Sequence, residues 1–512
     1  MKKAISVFLS VLMVISILPA FTAFAADSGN CGENGDNVKW KLEDSTLTIY
    51  GKGKMADLSD DKHWTDSLAP WSQKDFTKVI IKNGVTNVGS AAFSGNEKLS
   101  EVVLGDSIIS IDTCAFYECK NLKEITLPDK VEKIYEYAFR KVPIEEINLP
   151  DSLKMIDDQA FSGSGLKSVV VPEGVTSVGT YAFMDCYNLD SIKLPSTLRN
   201  IGMSIVMNTP YAKNENNWRW NGLYVNHHLL DYDGRAINYK ILKGTICIAE
   251  DAFWVTGAQI ESIILPESLK AISERGFFGC KDLESINIPA GVEVIGVGAF
   301  NSCKRLEKFT VDKDNKFYDS RNNCNAIIET KTNKIIAGCS NTVIPKSVKA
   351  IGAHAFYLSK QYIEIPETVT RIEDYAYVTS RNNHVTVFFE GDYKQWKKAR
   401  NIKSTRGATN VYFNCKRLRF SSAKGAKKKF TVKWNKLGSA KGYQIQYSTD
   451  RNFEKDVHKI KVKGNKTFKR TVKVKKAKKY YVRVRAYKTF TTDKVHTTYS
   501  VFSPVRTVTV KK

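Results

Sequence analysis

The residue types that most often carry out chemistry in proteins are sparse in this chain of 512 residues, which has 7 histidines and 10 cysteines. The adjacent pair His227 and His228 lacks the H-E-x-x-H spacing or a nearby third ligand that a zinc centre needs. Asp312, Asp314 and Asn315 resemble the start of a calcium loop, but the glycine and the closing glutamate of such a loop are missing. We therefore predict no catalytic, cofactor-binding or metal site. The histidines are interpreted as polar residues of a hairpin, and the aspartates as a turn after a strand.

Several cysteines lie at repeated positions rather than in metal-binding pairs. Four of them each follow a phenylalanine by three residues: Cys119, Cys186, Cys280 and Cys303. No C-x-x-C spacing occurs, which argues against zinc, and we expect buried thiols. Two disulfides remain open, Cys280 with Cys303 across consecutive coils and Cys324 with Cys339 around a turn near residues 332–333.

Positive charge is concentrated at one end of the chain. The net charge is +25, yet residues 416–512 alone contain 30 Lys or Arg and only 4 Asp or Glu. Charge of this density favours polyanions, because binding releases their condensed counterions. The predicted partner of residues 416–512 is an anionic cell-wall polymer, and extracellular nucleic acid is the less favoured partner.

Alternation within this basic segment predicts strands with cations on one face. Three lysines alternate with other residues along one strand, and two arginines share the outward positions of another strand of the same expected sheet with two tyrosines. The candidate polyanion-binding set is Lys459, Lys461, Lys463, Arg483, Arg485, Tyr481 and Tyr487. The alternative is a solvated face that keeps the domain soluble and its edges unpaired.

The elements that position these residues follow from a repeat of 22–23 residues. Each unit reads L-x-x-I-x-[LIV]-P-x-x-[VL]-x-x-I-x-x-x-A-F-x-x-C, and the Ala-Phe pair recurs at Phe93, Phe116, Phe139, Phe161, Phe183, Phe253, Phe300 and Phe356. The run before each proline alternates like a half-buried strand, and proline ends it. One unit cannot bury its own apolar side chains, so we predict a mainly β solenoid of about 11 stacked coils with two insertions.

This unit resembles the BspA-like leucine-rich repeat family of bacterial surface proteins over roughly residues 30–415. Cys31-Gly32, Val38-Lys-Trp40 and the run 47–53 resemble its N-terminal cap hairpin, and the runs 385–391 and 395–396 resemble its closing cap. We expect Trp40, Trp71 and Trp396 to lie in the cores of the caps. The resemblance implies a nonenzymatic adhesin or interaction surface that binds an extracellular protein or glycan.

Residues 416–512 form a β-sandwich pattern that resembles a fibronectin type III module. Trp434 matches the core tryptophan of that module, and Tyr480 matches its tyrosine corner. The first insertion, residues 207–246, is our candidate for ligand recognition through its aromatic side chains, and the alternative is a hairpin packed against the solenoid. These side chains are Trp218, Trp220, Tyr224 and Tyr232.

The N-terminus has the features of an export signal. Lys2 and Lys3 precede an apolar run, and Ala23-Phe24-Ala25 is a cleavage site of the A-x-A type. The predicted organisation is a signal peptide (1–25), an N-terminal cap hairpin (26–88), a leucine-rich repeat solenoid (89–384), a C-terminal cap (385–415) and a basic fibronectin type III-like domain (416–512). We expect a secreted protein without a membrane span that is retained noncovalently at the bacterial cell wall. The alternative is a glycan-binding accessory protein of an extracellular carbohydrate-degrading system.

Overall fold

The computed structural model describes residues 27–60, 63, 65–254, 259–356, 362–377, 385–399, 408–413, 418–436, 440–464, 466, 468–491, 495–499 and 502–511. The predicted signal peptide, residues 1–25, lies outside these ranges. Within them the chain is mainly β, and its α-helices are α1 (Pro210–Lys213) and α2 (Tyr393–Ala399).

The N-terminal cap is an antiparallel hairpin that leads directly into a parallel ladder. Its strands are β1 (Ser28–Gly32), β2 (Gly35–Glu43) and β3 (Thr46–Gly51). Strand β3 pairs in parallel with the strand 78–81 that follows it. Trp40 and Trp71 are buried under this hairpin and contact each other edge to face at 5.7 Å, which confirms their prediction as cap core.

The solenoid coils contribute short strands to two ladders. The first half contains β4 (Lys78–Ile81), β5 (Asn87–Val88), β6 (Glu101–Leu104), β7 (Ser110–Ile111), β8 (Lys133–Ile134), β9 (Met155–Ile156), β10 (Ser168–Val170), β11 (Ser177–Val178), β12 (Ser191–Lys193) and β13 (Asn200–Ile201). The second half contains β14 (Trp218–Arg219), β15 (Gly222–Val225), β16 (His228–Tyr232), β17 (Asn238–Lys240), β18 (Cys247–Ile248), β19 (Ser262–Ile264), β20 (Ala271–Ile272), β21 (Ser285–Ile288), β22 (Val294–Ile295), β23 (Lys308–Val311), β24 (Tyr318–Asp319), β25 (Ala326–Glu329), β26 (Lys334–Gly338), β27 (Ala350–Ile351), β28 (Tyr362–Ile365) and β29 (Arg371–Ile372).

Paired residues in these ladders are one repeat apart, as the sequence period requires. Ser110 pairs with Lys133, and Lys133 pairs with Met155. The runs before the prolines form one ladder, in segments such as β4-β6 and β10-β12, and the two-residue strands form the other. The stack makes about 13 turns, because β3 before residue 89 and the cap strands after residue 384 add parallel rungs.

The phenylalanines of the repeat stack inside the solenoid in two runs, Phe93 to Phe183 and Phe253 to Phe300. The rings of Phe116 and Phe139 lie 5.4 Å apart, and those of Phe139 and Phe161 lie 5.3 Å apart, with interplanar angles of 11° and 9°. All three rings are fully buried. The predicted one-ring-per-coil core is therefore confirmed, and its stacked geometry adds a favourable aromatic contact at each step.

Each insertion is a hairpin whose last strand joins the second ladder. Strands β15 and β16 pair antiparallel, and β16 then pairs in parallel with β18. Strands β25 and β26 repeat this arrangement, with β26 parallel to β27. The second ladder is thus divided into three sheets, and the hairpin of each insertion begins a new one, after β13 and after β22.

The chain ends in a parallel cap followed by two antiparallel sheets. The cap strands are β30 (Val385–Phe389) and β31 (Ala408–Phe413), and Trp396 on α2 is buried against Phe389, as predicted for cap core. The remaining strands are β32 (Phe420–Ala426), β33 (Lys429–Trp434), β34 (Gly442–Ser448), β35 (His458–Lys463), β36 (Lys469–Lys473), β37 (Lys479–Thr491), β38 (Val495–Tyr499) and β39 (Arg506–Thr509).

These last strands form a β-sandwich with its own core. One sheet has the order β32-β33-β36, and the other has the order β35-β34-β37-β38 with β39 also on β37. Phe430, Val432 and Trp434 face inward, as the alternation predicts. The hydroxyl of Tyr480 donates a hydrogen bond to the carbonyl oxygen of Lys476 at 3.1 Å, which ties the start of β37 to the preceding loop.

Candidate functional site

The register of three strands brings the predicted cations of the sandwich onto one surface. Strand β34 lies between β35 and β37, so that Gln444 stands between Lys461 and Arg485, and Gln446 stands between Lys459 and Arg483. Lys463 and Tyr487 flank Gly442 in the same way, and Tyr481 pairs with Ser448. We call this surface, the outward side of β35-β34-β37, the first cationic face. All seven predicted residues occupy positions on it.

Two arginines of the first cationic face are held in place by neighbouring side chains. Arg483 donates from Nε and Nη2 to the Gln446 side-chain oxygen at 3.0 and 2.8 Å. Its guanidinium also lies 4.0 Å from the ring centre of Phe453 and 4.1 Å from that of Phe502. Burial lowers the pKa of Arg483. Arg485 donates to Gln444 at 2.9 Å. These contacts hold both guanidinium groups in fixed positions beneath the lysines.

The lysines are the exposed cations of the first cationic face. Lys459, Lys461 and Lys463 are all exposed, and the ammonium of Lys461 lies 4.6 Å from the ring centre of Tyr487. Tyr487 is itself buried, so it supports Lys461 and offers no ring to a ligand. The three acidic residues of the described sandwich, Asp450, Glu454 and Asp456, lie in the loop before β35. A row of ammonium groups above fixed guanidinium groups can bind repeated phosphate or carboxylate groups.

Sequence reasoning missed the residues that organise this face. The two glutamines alternate in β34, and the sequence alone identifies them only as residues of a strand. Phe453 and Phe502 lie outside the strands that carry the arginines. The one available signal was the alternation of Gln444 and Gln446, because buried polar side chains require hydrogen-bond partners.

The first insertion is largely part of the core. Tyr224 and Tyr232 are 2% and 1% exposed, and the Tyr232 ring lies 5.2 Å from Phe253, at the start of the second run of stacked phenylalanines. The prediction of these two tyrosines as ligand contacts is therefore corrected: their side chains lie in the core, which fits the alternative of a hairpin packed against the solenoid. Trp218 is half-buried and donates to the Ala212 carbonyl at 2.8 Å. Trp220 is 77% exposed at the β14–β15 turn.

The His227–His228 pair belongs to the same insertion. His228 is completely buried, and its Nε2 lies 2.9 Å from the Pro195 carbonyl oxygen. Burial lowers the pKa of His228 to about 4, so the ring is neutral near pH 7. The pair thus lies in the predicted hairpin, and His228 joins that hairpin to the preceding coil.

The Asp312–Asn315 segment is a turn, as interpreted from the sequence. Asp312 accepts a hydrogen bond from the backbone N–H of Asp314 at 2.9 Å. The Asn315 side chain is buried and donates to the carbonyls of Pro289 and Val292. Across the described ranges, no three His, Cys, Asp or Glu side chains lie close enough together to hold a metal ion.

The repeated cysteines have a structural role. The thiols of Cys119 and Cys186 are buried, and each donates to the carbonyl of the phenylalanine one coil earlier, Phe93 and Phe161, at 3.1 Å. Burial raises the pKa of Cys186 to about 11, which keeps it a thiol. Cys280 and Cys303 lie next to each other in consecutive coils, also as thiols.

The predicted opposition of Cys324 and Cys339 does not occur. A β-bulge between Ile327 and Ile328 shifts the register of β25 and β26, so that Ala326 pairs with Gly338. A shift of one residue turns side chains to opposite faces. Cys324 therefore packs in one core cluster and Cys339 in another, and no disulfide joins them.

The solenoid offers a groove of about 740 Å³ on its first ladder. Glu101, Glu124 and Glu146 lie along it at successive coils. Residues 122–127 and 144–149 form no strand there, so the first ladder is interrupted between β6 and β10. The groove is open, polar and acidic, which distinguishes it from the sandwich.

No helix within the described residues has both the length and the apolar character needed to cross a membrane. A search of curated proteins found no match to this chain.

Several solved structures are similar to the chain. A leucine-rich repeat protein from Eubacterium ventriosum shares 19% identity over 70% of this chain and 96% of that one, with a TM-score of 0.33. A leucine rich cell surface protein from Faecalibacterium prausnitzii shares 21% identity over 73% and 97%, with a TM-score of 0.28. A leucine-rich repeat protein from Bacteroides ovatus shares 20% identity over 74% and 98%, with a TM-score of 0.26.

The family model of the BspA type leucine rich repeat region matches in 6 copies, over residues 71–188, 247–382 and 327–399. The matched ranges together span more than half of the 512 residues. They contain the stacked phenylalanines and the parallel rungs described above. The chain therefore belongs to the BspA-type leucine-rich repeat family.

Proposed function

We propose that this protein is a secreted, wall-associated binding protein. The solenoid presents a surface to an extracellular protein or glycan, and the basic sandwich attaches the molecule to an anionic polymer of the cell envelope. The export signal predicted at residues 1–25 supports the extracellular location. Membership of a repeat family supports the binding role, since stacked repeats form extended surfaces rather than deep catalytic pockets.

The first cationic face is the observation that carries the attachment proposal. Its lysines are exposed, its arginines are fixed by Gln444 and Gln446, and the acids of the described sandwich lie in a loop at its end. Because these arginine side chains are already held in place, less side-chain conformational entropy is lost when a ligand binds. The Tyr480 hydrogen bond and the buried Trp434 support the proposed fibronectin type III-like character of the sandwich, and in a module of that kind the face would lie on packed strands.

A binding measurement with the full chain tests the attachment. The probe is immobilised poly(glycerol phosphate), and the variant is Lys459→Gln, Lys461→Gln and Lys463→Gln together. We expect weaker binding and a shallower dependence of log K on log salt, by up to about 0.9 per lost phosphate contact if the polymer behaves like duplex DNA.

The matched control for that measurement removes the same charge from the solenoid. Lys133, Lys154 and Lys240 are exposed there, and their replacement by Gln is expected to leave the binding unchanged. Equal losses in both variants would show that net charge alone drives the binding and would refute a dedicated face.

The second candidate function is that of a glycan-binding accessory protein. Trp220 favours it, because a 77% exposed indole can stack on a sugar ring. Its backbone φ of 51° is uncommon for a bulky side chain. Binding of the full chain to a glycan array, lost on Trp220→Ala but kept in the lysine variant, would support this function. Unchanged glycan binding by the Trp220→Ala variant would refute this function.

A further inference from the structure

The other sheet of the sandwich carries a second set of outward cations. In β33 and β36, Lys429 pairs directly with Lys473, and Lys433 pairs directly with Lys469. All four lysines are exposed. We call the outward side of β32-β33-β36 the second cationic face.

The middle of the second cationic face is polar as well. The hydroxyls of Thr431 and Thr471 lie 2.8 Å apart between the two lysine pairs. Lys424 of β32 pairs with Thr431 and is exposed. The sequences of β32, β33 and β36 contain no Asp or Glu. Five ammonium groups and two hydroxyls therefore share one surface, and all of them can donate hydrogen bonds to anionic oxygens.

Two like-charge pairs directly opposite each other are unfavourable for a sheet. Opposite charges at directly paired positions stabilise a sheet, and like charges destabilise it. A sheet that needed only solubility could alternate lysine with glutamate and gain this energy instead. An anionic chain lying along the strands would remove the repulsion, because its charges would lie between the lysines.

The two cationic faces point in opposite directions. The inward residue Phe430 of β33 packs against Tyr447 of β34 at 5.4 Å and against Tyr480 of β37 at 6.0 Å. One layer of side chains, about 10 Å thick, thus separates the two sheets. One straight polymer segment cannot lie on both outward surfaces, so each face needs its own segment.

We propose that the sandwich binds two polyanion segments, one on each cationic face, and so bridges two chains of a phosphate-bearing polymer. The inference rests on the proposed attachment function for the first face and extends it by the second face. A molecule with two such faces cross-links the polymer to which it is attached.

Stoichiometry of the full chain with short-chain inorganic polyphosphate tests the proposal. One variant combines Lys429→Gln, Lys433→Gln, Lys469→Gln and Lys473→Gln, and the other carries the three Gln substitutions of the first face. We expect two chains bound per unmodified protein, one chain for either variant and none when the variants are combined. Thermal unfolding of each variant checks that the sandwich remains folded.

Bridging is measured separately, by the capture of fluorescent polyphosphate on immobilised polyphosphate. The unmodified protein should capture it and neither Gln variant should, whereas a variant with arginine at positions 429, 433, 469 and 473 should capture it like the unmodified protein. One chain bound, and lost only with the first face, would overturn the second face while leaving the attachment function in place. Binding of no chain by the unmodified protein would overturn both.

Discussion

At the scale of single residues, buried polar groups set the pH response of the first insertion. His228 has its pKa lowered by burial to about 4 from an ordinary value of 6.5, and Asp231 has its pKa raised by burial to about 6. The unfolded chain binds more protons than the folded chain at His228 between those pH values, so His228 makes folding less favourable as pH falls. Asp231, whose pKa is raised, makes folding less favourable as pH rises from its ordinary pKa of 3.8 to about 6.

His228→Gln isolates the histidine contribution, because Asp231 is present in both proteins. The stabilising advantage of neutral His228 is complete above pH 6.5 and disappears as pH falls toward 4. The unmodified protein should therefore lose on the order of 3 kcal/mol relative to the variant across that range. Denaturant unfolding at a series of pH values measures the difference. If the free energies of unfolding of the two proteins changed in parallel with pH, the pKa of His228 would not be lowered in the folded state.

The contacts that hold Arg483 in the first cationic face also act at the scale of single residues. Arg483→Lys should destabilise the sandwich by about 1–2 kcal/mol, because an ammonium cannot donate twice to Gln446 or stack flat between Phe453 and Phe502. Lys461→Gln, which removes an exposed cation, is the control and should unfold at the original temperature. The thermal unfolding of the two variants is compared, and equal midpoints would contradict a structural role for Arg483.

At the scale of elements, the coils that the structure describes on both sides of the phenylalanine contain two left-handed backbone positions around it. Two residues before Phe93, Phe116 and Phe139, φ is 52°, 57° and 60°, and two residues after Phe93 and Phe116 it is 72° and 55°. These turns are held by coil-to-coil bonds, such as Phe116 N–H to the Ala138 carbonyl at 2.9 Å.

The sequence predicts the stacked phenylalanines but not these turns. The Ala-Phe pair repeats in residue type, and its period translates directly into one ring per coil. The left-handed positions carry Ala, Cys, Tyr, Gln and other types, since bonds to the neighbouring coils override local preference. Like the Ala-Phe repeat, the alternation from Lys459 to Lys463 is a pattern of residue types, and it therefore predicts the cationic face. The bulge that separates Cys324 from Cys339 depends on backbone pairing and leaves no mark in the sequence.

Gly95 offers a test of the turn geometry, because a Cβ at this position would meet nothing within 4 Å. Gly95→Ala should therefore cost only the backbone penalty of a positive φ, about 1 kcal/mol. Gly95→Asn should cost less, since asparagine tolerates this conformation. Hydrogen exchange of the amides in the coils around residue 95 measures the loss locally. Unchanged protection in the alanine variant would contradict the assigned conformation.

At the scale of the whole molecule, the sandwich and the solenoid have separate hydrophobic cores. The core cluster of the sandwich begins at Leu418 and shares no residue with the clusters of the solenoid. Charge is divided in the same way, since residues 416–512 carry nearly all of the excess of Lys and Arg. The proposed attachment through the sandwich and the proposed ligand recognition by the solenoid can therefore be altered separately by substitutions.

A chain ending at residue 415 should keep the solenoid and lose the attachment. Because the stacked phenylalanines and both ladders lie before that residue, the thermal unfolding of the solenoid should be unchanged. Binding to poly(glycerol phosphate) should fall to background, since the remaining residues have almost no net charge. The control is the full chain with the three solenoid lysines replaced, which should still bind and should release the polymer as salt is raised. Binding that persists in the shortened chain would place the attachment site in the solenoid instead.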